Sequence, residues 1–149
     1  MEKNFIYIDV CALSRFSDDQ SFIRIRMETE AVHLILSKVK DGKYNFVVSP
    51  VHIKETEVIS DEIEKNRLMA LFEELGTRAD IDLLRARQRA EGLVNWGFGI
   101  ADAAHVAFAE ECGAKFITCD DRLIKKCKKH DISIWCDNPI MFCMTEKIQ

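Results

Sequence analysis

Short apolar segments alternate along this chain with longer segments in which apolar residues recur at helical spacing. Such alternation is typical of a parallel sheet, because two parallel strands are joined by a crossover that usually contains a helix. The pattern runs through all 149 residues, with no internal repeat, low-complexity tract or Pro/Gly-rich linker. We therefore expect a single α/β domain over residues 1–149, with three α/β/α layers and a central, mostly parallel sheet.

The apolar segments predict strands, and the periodic segments predict the helices between them. The predicted strands cover residues 5–9, 44–48, 115–118 and 132–135. The predicted helices cover residues 21–40, 61–75, 80–94, 100–112 and 121–129, and another starts at Ser49-Pro50. Ser49 can cap that helix, and Pro50 suits its first position because a proline lacks only an N–H that would be unpaired there. Gly76 and Gly113 are expected to end their helices.

Four acidic residues stand at corresponding ends of these predicted elements. Asp9 ends the first strand, and Asp120 lies two residues beyond the third. Glu55 lies in the second turn of the helix after the second strand, and Asp102 is near the start of its helix, where the dipole favours an anion. Since α/β proteins bind ligands beyond the carboxyl ends of parallel strands, we expect these acids to form one composite site.

Carboxylates that converge in this way repel one another and cannot all stay ionised unaided. They either take up protons or bind hard divalent cations, of which Mg²⁺ prefers carboxylate and water oxygens. Beside a phosphodiester, such an ion polarises the phosphoryl oxygen, activates the attacking water and stabilises the leaving oxygen. The pattern therefore indicates metal ligands for phosphodiester hydrolysis, one of which could also orient the water.

Each of these acids also has a purely structural explanation. Asp120 could cap the helix that begins at residue 121, and Asp102 could be a first-turn residue favoured by the helix dipole. An aspartate at the end of a strand is often a turn former. Spacing alone leaves the metal site and these structural roles open.

A resemblance to a known family is carried by four segments, Y-I-D-V-C (7–11), S-P-V-H-I-K-E (49–55), I-A-D-A-A-H-V-A-F-A (100–109) and F-I-T-C-D-D-R-L (116–123). In this order, and over nearly the whole chain, they resemble the motifs of PIN-domain ribonucleases, particularly the small VapC-type toxins of toxin–antitoxin pairs. The resemblance implies a PIN-like fold and endonucleolytic cleavage of RNA with Mg²⁺ or Mn²⁺ held by the four acids, Asp9, Glu55, Asp102 and Asp120. It also implies that the Thr118 hydroxyl supports the site.

The same resemblance implies an antitoxin protein as partner, and homodimerisation. Asp121 is adjacent to Asp120 and could share its role, although the motif spacing favours Asp120. The region 61–98 is similar to the family only in helical character, so it implies no substrate contacts.

The alternative is a catalytically silent PIN-like RNA-binding or protein-interaction module. A receiver-type regulatory domain fits poorly, because the acids are spread over four units and no late-strand lysine is evident.

Composition limits the cellular context and the classes of partner. No apolar run approaches the roughly 20 residues of a membrane-spanning helix, and residues 5–8 are too short for a signal-peptide core, so we expect a cytoplasmic protein with no membrane partner. The net charge of −4 alone disfavours nucleic acid, unless cations neutralise the clustered acids. The six cysteines form no C-x-x-C pair and are expected to be reduced and packed as small hydrophobes.

Two further features admit a functional and a structural interpretation. His105 lies one turn after Asp102 and could contact a phosphate, although a packed, hydrogen-bonded helix histidine is the commoner outcome. The basic run at residues 125–130 could hold an RNA backbone or could form a solvated helix end, where cations also suit the dipole. No Rossmann fingerprint, P-loop or G-x-S-x-G elbow is present.

Overall fold

The structure, a computed structural model, describes residues 4–78 and 80–149. Its strands are β1 (Phe5–Ile8), β2 (Asn45–Val47), β3 (Gly76–Thr77), β4 (Lys115–Ile117) and β5 (Cys136–Asp137). Its α-helices are α1 (Val10–Leu13), α2 (Ile23–Lys40), α3 (Pro50–Glu57), α4 (Glu62–Leu75), α5 (Leu83–Asn95), α6 (Ile100–Cys112), α7 (Asp121–Lys129) and α8 (Pro139–Thr145). Within the described ranges, no helix combines the length and apolar content needed to cross a membrane.

The strands form one parallel sheet in the order β3-β2-β1-β4-β5. The chain builds outward from β1 through β2 to β3 on one side, then returns to add β4 and β5 on the other. The direction of winding therefore changes between β1 and β4. In open parallel sheets, the crevice that ligands occupy lies at this switch point, beyond the carboxyl ends of the strands.

Two clusters of buried side chains lie against the sheet. Successive residues of a strand face opposite sides, and in β1 Ile6 and Ile8 join one cluster while Tyr7 joins the other. The first cluster includes Ile35 of α2 and Phe72 of α4, and the second includes residues of α5, α6 and α7. The chain is thus an α/β protein with an all-parallel sheet flanked by helices.

Most of the predicted elements are confirmed, with small shifts at their ends. The bounds of α6 and α7 are those predicted, and β1, β2 and β4 lie within the predicted strands. Ser49 caps α3 as expected: its side chain accepts from the His52 backbone N, and its own N donates to His52 Nδ1 at 3.0 Å. These elements follow local rules of periodicity and capping, which the sequence carries directly.

The predicted strand at 132–135 is wrong, because β5 begins only at Cys136. The Ser133 backbone N and hydroxyl both donate to Glu110 Oε2, at 3.2 and 2.8 Å, so Ser133 bonds to α6 in place of a strand partner. Pairing with β4 starts where Phe116 N donates to the Trp135 carbonyl at 2.8 Å.

The short strand β3 and the helix α8 are not predicted from the sequence. Gly76 ends α4 as expected, but it also begins β3. A Cβ at Gly76 would come within 2.4 Å of both the Phe72 carbonyl oxygen and a Val48 methyl, so only glycine allows this approach. Such a requirement arises from tertiary packing.

Candidate metal centre

Asp9, Glu55, Asp102 and Asp120, here called the edge acids, are positioned by the carboxyl edge of the sheet. Asp9 follows β1 directly, and its backbone N donates to the Ile117 carbonyl at the end of β4, at 2.9 Å. Asp9 therefore lies at the switch point between β1 and β4. Glu55 is on α3, Asp102 is in the first turn of α6, and Asp120 is the residue before α7.

Asp9 and Glu55 converge with a histidine. One ligand atom each from Asp9, Glu55 and His105 lie within 4.8 Å of one another. His105 Nε2 is 3.7 Å from Asp9 Oδ1 and is hydrogen-bonded to Glu55 Oε1. Asp9 and His105 are buried, whereas the Glu55 side chain is 37% exposed, so the group opens to solvent at Glu55. Two carboxylates and an imidazole in this arrangement are a donor set for a divalent metal ion.

Asp102 and Asp120 are outside that 4.8 Å group but within electrostatic range of it. The pKa of Asp102 is raised, first by burial and then by the negative charges of Asp9 and Asp120, with a smaller contribution from Glu55. The positive tendency of His105 opposes this rise. Like charges that disfavour ionisation in this way indicate that the four edge acids share one electrostatic site.

Thr118 connects two of the edge acids. Its hydroxyl donates to Asp9 Oδ2 at 2.9 Å and accepts from the Asp120 backbone N at 3.1 Å. The Thr118 side chain is fully buried, and the Cys11 thiol lies 3.4 Å from its hydroxyl oxygen. Thr118 therefore fixes the Asp9 carboxylate and the backbone that carries Asp120.

Asp120 and Asp121 differ in their contacts although they are adjacent. Asp120 Oδ1 accepts from the backbone N of Arg122 and Leu123, at 3.0 and 3.2 Å, so this residue does cap α7. Asp121 instead accepts two hydrogen bonds from the Arg24 guanidinium, at 2.6 and 2.7 Å, and its pKa is lowered by them. Asp121 thus belongs to a surface ion pair, while the charge of Asp120 acts on Asp102.

A chain of buried polar groups leads away from His105. The Tyr7 hydroxyl oxygen lies 2.5 Å from His105 Nδ1 and 2.6 Å from Ser49 Oγ. Ser49 Oγ is 3.2 Å from His52 Nδ1, and His52 Nε2 donates to the Ile8 carbonyl at 2.7 Å. These contacts join β1, α3 and α6 beneath the centre. They also fix the orientation of the His105 ring.

The pKa values of the two buried histidines of this site, His52 and His105, are shifted in opposite directions. Burial, reinforced by neighbouring His105, lowers the pKa of His52 to about 3, so His52 is neutral at physiological pH. Burial alone would also lower the pKa of His105, but its hydrogen bond to Glu55 and the charge of Asp9 outweigh this and raise it. His105 is therefore the group that the acids polarise.

Tyr7 and His52 are site residues that the sequence does not identify, and His105 is identified there only as a possible phosphate contact or a packed helix histidine. For His105, a usable signal exists: it follows Asp102 by three residues, a spacing that puts both on one face of a helix. Tyr7 and His52 carry no comparable signal, because each belongs to an apolar or capping pattern.

The basic run after the last acidic motif is partly engaged within the chain. Lys126 Nζ donates to the Gly97 carbonyl at 2.8 Å, and Lys128 pairs with Asp137 at 2.8 Å. Both lysines therefore have a partner within the chain. A contact of this run with RNA stays a prediction.

No protein-family model matches this sequence, and the curated proteins give no significant match. The interpretation of the centre therefore depends on its geometry and on the ordered motifs.

Proposed function

We propose that this protein is a metal-dependent endoribonuclease of PIN-like fold, which hydrolyses RNA phosphodiester bonds with Mg²⁺ or Mn²⁺ bound at the edge acids. The observation that carries the proposal is the convergence of Asp9, Glu55 and His105 at the switch point of the sheet. The raised pKa of Asp102 adds support, because it indicates a local excess of negative charge. The four ordered motifs support the PIN-like assignment.

The residues present fit a divalent ion. Carboxylate oxygens are the ligands that Mg²⁺ and Mn²⁺ prefer, and an imidazole is compatible with Mn²⁺. Among the residues that the structure describes, none of the edge acids forms an ion pair with a lysine or arginine. A bound cation would offset the mutual repulsion of these acids and so stabilise their ionised forms.

The side chains of the centre would divide the work in hydrolysis. When bound, the ion would polarise the phosphoryl oxygen and lower the pKa of the attacking water. Asp9 is held rigidly by the Thr118 hydroxyl, and so suits a ligand whose position must not change. Glu55 is the most exposed member of the converging group, so it is best placed to orient a water molecule that arrives from solvent.

The toxin role, the antitoxin partner and the homodimer are proposed from the resemblance alone. A toxin should arrest growth when it is expressed, and co-expression of the product of a neighbouring small reading frame should restore growth. Growth arrest that persists in the Asp9→Asn variant would contradict a nuclease origin of the toxicity.

Cleavage assays test the proposed activity. Mixed structured and single-stranded RNAs would be incubated with Mn²⁺, Mg²⁺ or EDTA, using wild type, Asp9→Asn, Glu55→Gln and Glu57→Gln. Glu57 is the matched control, since it is an exposed glutamate two residues from Glu55 on the same helix. We expect metal-dependent cutting that falls at least about 100-fold in the first two variants and is unchanged in the control.

The opposite outcome identifies the alternative function. If folded wild type binds RNA with an affinity indifferent to divalent metal, and cuts none of a broad RNA set, the protein is a catalytically silent binding module.

A further inference from the structure

We infer that His105 is itself a metal ligand, through Nε2, and that it gives the centre a preference for Mn²⁺ over Mg²⁺. This inference rests on the proposed metal-dependent function, because it concerns the same centre. It goes further by assigning a nitrogen donor to a site that the motifs describe with carboxylates alone.

The position of Nε2 suits a shared ion. Ligand atoms about 2.1 Å from one ion lie about 3 Å apart when they are at right angles and about 4.2 Å apart when opposite. His105 Nε2 is 3.7 Å from Asp9 Oδ1, which falls between these limits. Glu55 contacts the same nitrogen, and its partly exposed side chain has room to adjust.

The second nitrogen of His105 has the partner that a metal-bound imidazole needs. A ligating histidine almost always donates its other N–H to a fixed acceptor, which sets the tautomer and the ring orientation. His105 Nδ1 is 2.5 Å from the Tyr7 hydroxyl oxygen, and both groups are buried. This contact gives the His105 ring the fixed orientation that a ligand at Nε2 requires.

The polar chain beyond Tyr7 can accept that donation throughout its length. His52 Nε2 donates to the Ile8 carbonyl, so in the neutral ring Nδ1 is an acceptor. That acceptor takes the Ser49 backbone N–H at 3.0 Å, while Tyr7 can donate to Ser49 Oγ and its oxygen can accept from His105 Nδ1–H. Nε2 is then the nitrogen directed at Asp9 and Glu55, and a cation bound between them would replace the proton of the Nε2–Glu55 hydrogen bond, which would leave to solvent.

Donor chemistry gives the metal preference. Mg²⁺ demands oxygen ligands and dehydrates reluctantly, whereas an imidazole nitrogen favours first-row transition metals. The remaining donors at this edge are carboxylates, which suit Mn²⁺ among those metals. The mixed set of nitrogen and oxygen therefore favours Mn²⁺.

Pulsed electron paramagnetic resonance of the full-length protein loaded with Mn²⁺ tests the ligand directly. Wild type should show the ¹⁴N modulation of a coordinated imidazole, and His105→Gln should lose it. His33→Gln is the matched control, because His33 is an exposed histidine on α2, and it should retain the modulation. Bound Mn²⁺ without nitrogen modulation in wild type would overturn the inference, a result that does not depend on whether any variant folds.

Competition binding measures the preference. The ratio of the Mg²⁺ to the Mn²⁺ dissociation constant should fall at least about 10-fold in His105→Gln. An unchanged ratio in a folded variant that binds both ions would show that His105 only positions Glu55. Nitrogen modulation without RNA cleavage would contradict the proposed nuclease activity and support His105 as a metal ligand. Metal-dependent cleavage without nitrogen modulation would support the nuclease activity and contradict the ligand role of His105.

Discussion

Carboxylates occupy two contrasting regions of this molecule, the carboxyl edge of the sheet and the periphery. Among the described residues, the edge acids Asp9, Glu55, Asp102 and Asp120 have His105 as their only basic ion-pair partner. Several peripheral acids pair with a lysine or arginine: Glu64 with Arg67, Glu110 with Arg89, Asp121 with Arg24, Asp137 with Lys128 and Glu146 with Lys115. In these pairs a lysine or arginine accompanies a dispersed acid, whereas none in the described part of the chain accompanies the converging edge acids.

The pKa values of Asp102, at the edge, and Glu110, at the periphery, move in opposite directions. Burial and neighbouring acids raise the pKa of Asp102. Burial would also raise the pKa of Glu110, but hydrogen bonds from Arg89 and Ser133 outweigh it and lower the pKa. Glu110 thus stabilises the fold in its ionised form, whereas ionised Asp102 reduces the stability of the fold. A partly buried carboxylate that costs stability because other acids surround it is typical of a functional site.

The largest expected difference is in catalysis. Asp102→Asn should lower kcat/KM for RNA cleavage at least about 100-fold, because it removes a charge that helps hold the metal. Glu110→Gln, on the same helix but in the periphery, should stay within about 3-fold of wild type once both proteins are folded. Equal losses of kcat/KM in the two variants, measured at saturating Mn²⁺, would contradict the distinction between edge and peripheral acids.

The next effect is stabilisation by metal. Mn²⁺ at 100 times its dissociation constant should raise the free energy of unfolding of wild type by about 2.7 kcal/mol. Glu110→Gln should gain a similar amount, and Asp102→Asn clearly less. Thermal unfolding with Mn²⁺ and with EDTA measures these increments. If Mn²⁺ stabilises Asp102→Asn as much as it does wild type, the ion binds elsewhere.

In the absence of metal, the pH dependence of the free energy of unfolding should have opposite signs for Asp102 at the edge and Glu110 at the periphery. The pKa of Asp102 is higher in the folded than in the unfolded protein. Ionised Asp102 therefore lowers the free energy of unfolding of wild type, and this loss is absent at pH values below the ordinary aspartate pKa of about 3.9. The loss develops as the pH rises from that value through the higher pKa of the folded state. Asp102→Asn should therefore be more stable than wild type at pH 7, by about 1 kcal/mol or less after solvent screening.

For Glu110 the sign is opposite. Its lowered pKa contributes stability above its ordinary value of about 4.3, and this is lost as pH falls through the folded value. Glu110→Gln should be less stable at pH 7 by about 1 kcal/mol, with a smaller difference in acid. Urea unfolding in EDTA from pH 3 to 7 measures both variants. The same sign for both at pH 7 would contradict the distinction.

The smallest expected effect concerns the adjacent pair of aspartates. Asp121 and Arg24 are both about half exposed, so Asp121→Asn should change the free energy of unfolding by less than about 1 kcal/mol and leave cleavage nearly unchanged. Asp120→Asn keeps a residue that can cap α7 but loses the charge near the centre, so it should fold and cleave poorly. A larger catalytic loss in Asp121→Asn would reassign these two residues.

Much of the fold and part of the centre could be predicted from the sequence. Local patterns predict the bounds of α6, the cap at Ser49 and the helix end at Gly113. These features depend on apolar periodicity and on hydrogen bonds between residues close in the chain, so the sequence is sufficient to predict them. The common edge of the four acids follows from the alternation of strands and helices, since parallel strands end on the same side of a sheet.

Only the tertiary structure decided the rest. It displaced β5 through a contact between Ser133 and Glu110, required glycine at position 76 and separated Asp120 from Asp121 through Arg24. It also brought His105 to Asp9 and Glu55 through the buried contact with Tyr7. These features join residues that are far apart in the chain, and their geometry depends on which elements pack together. Local propensity describes a residue's neighbours in sequence, whereas the chemistry of this centre depends on its neighbours in space.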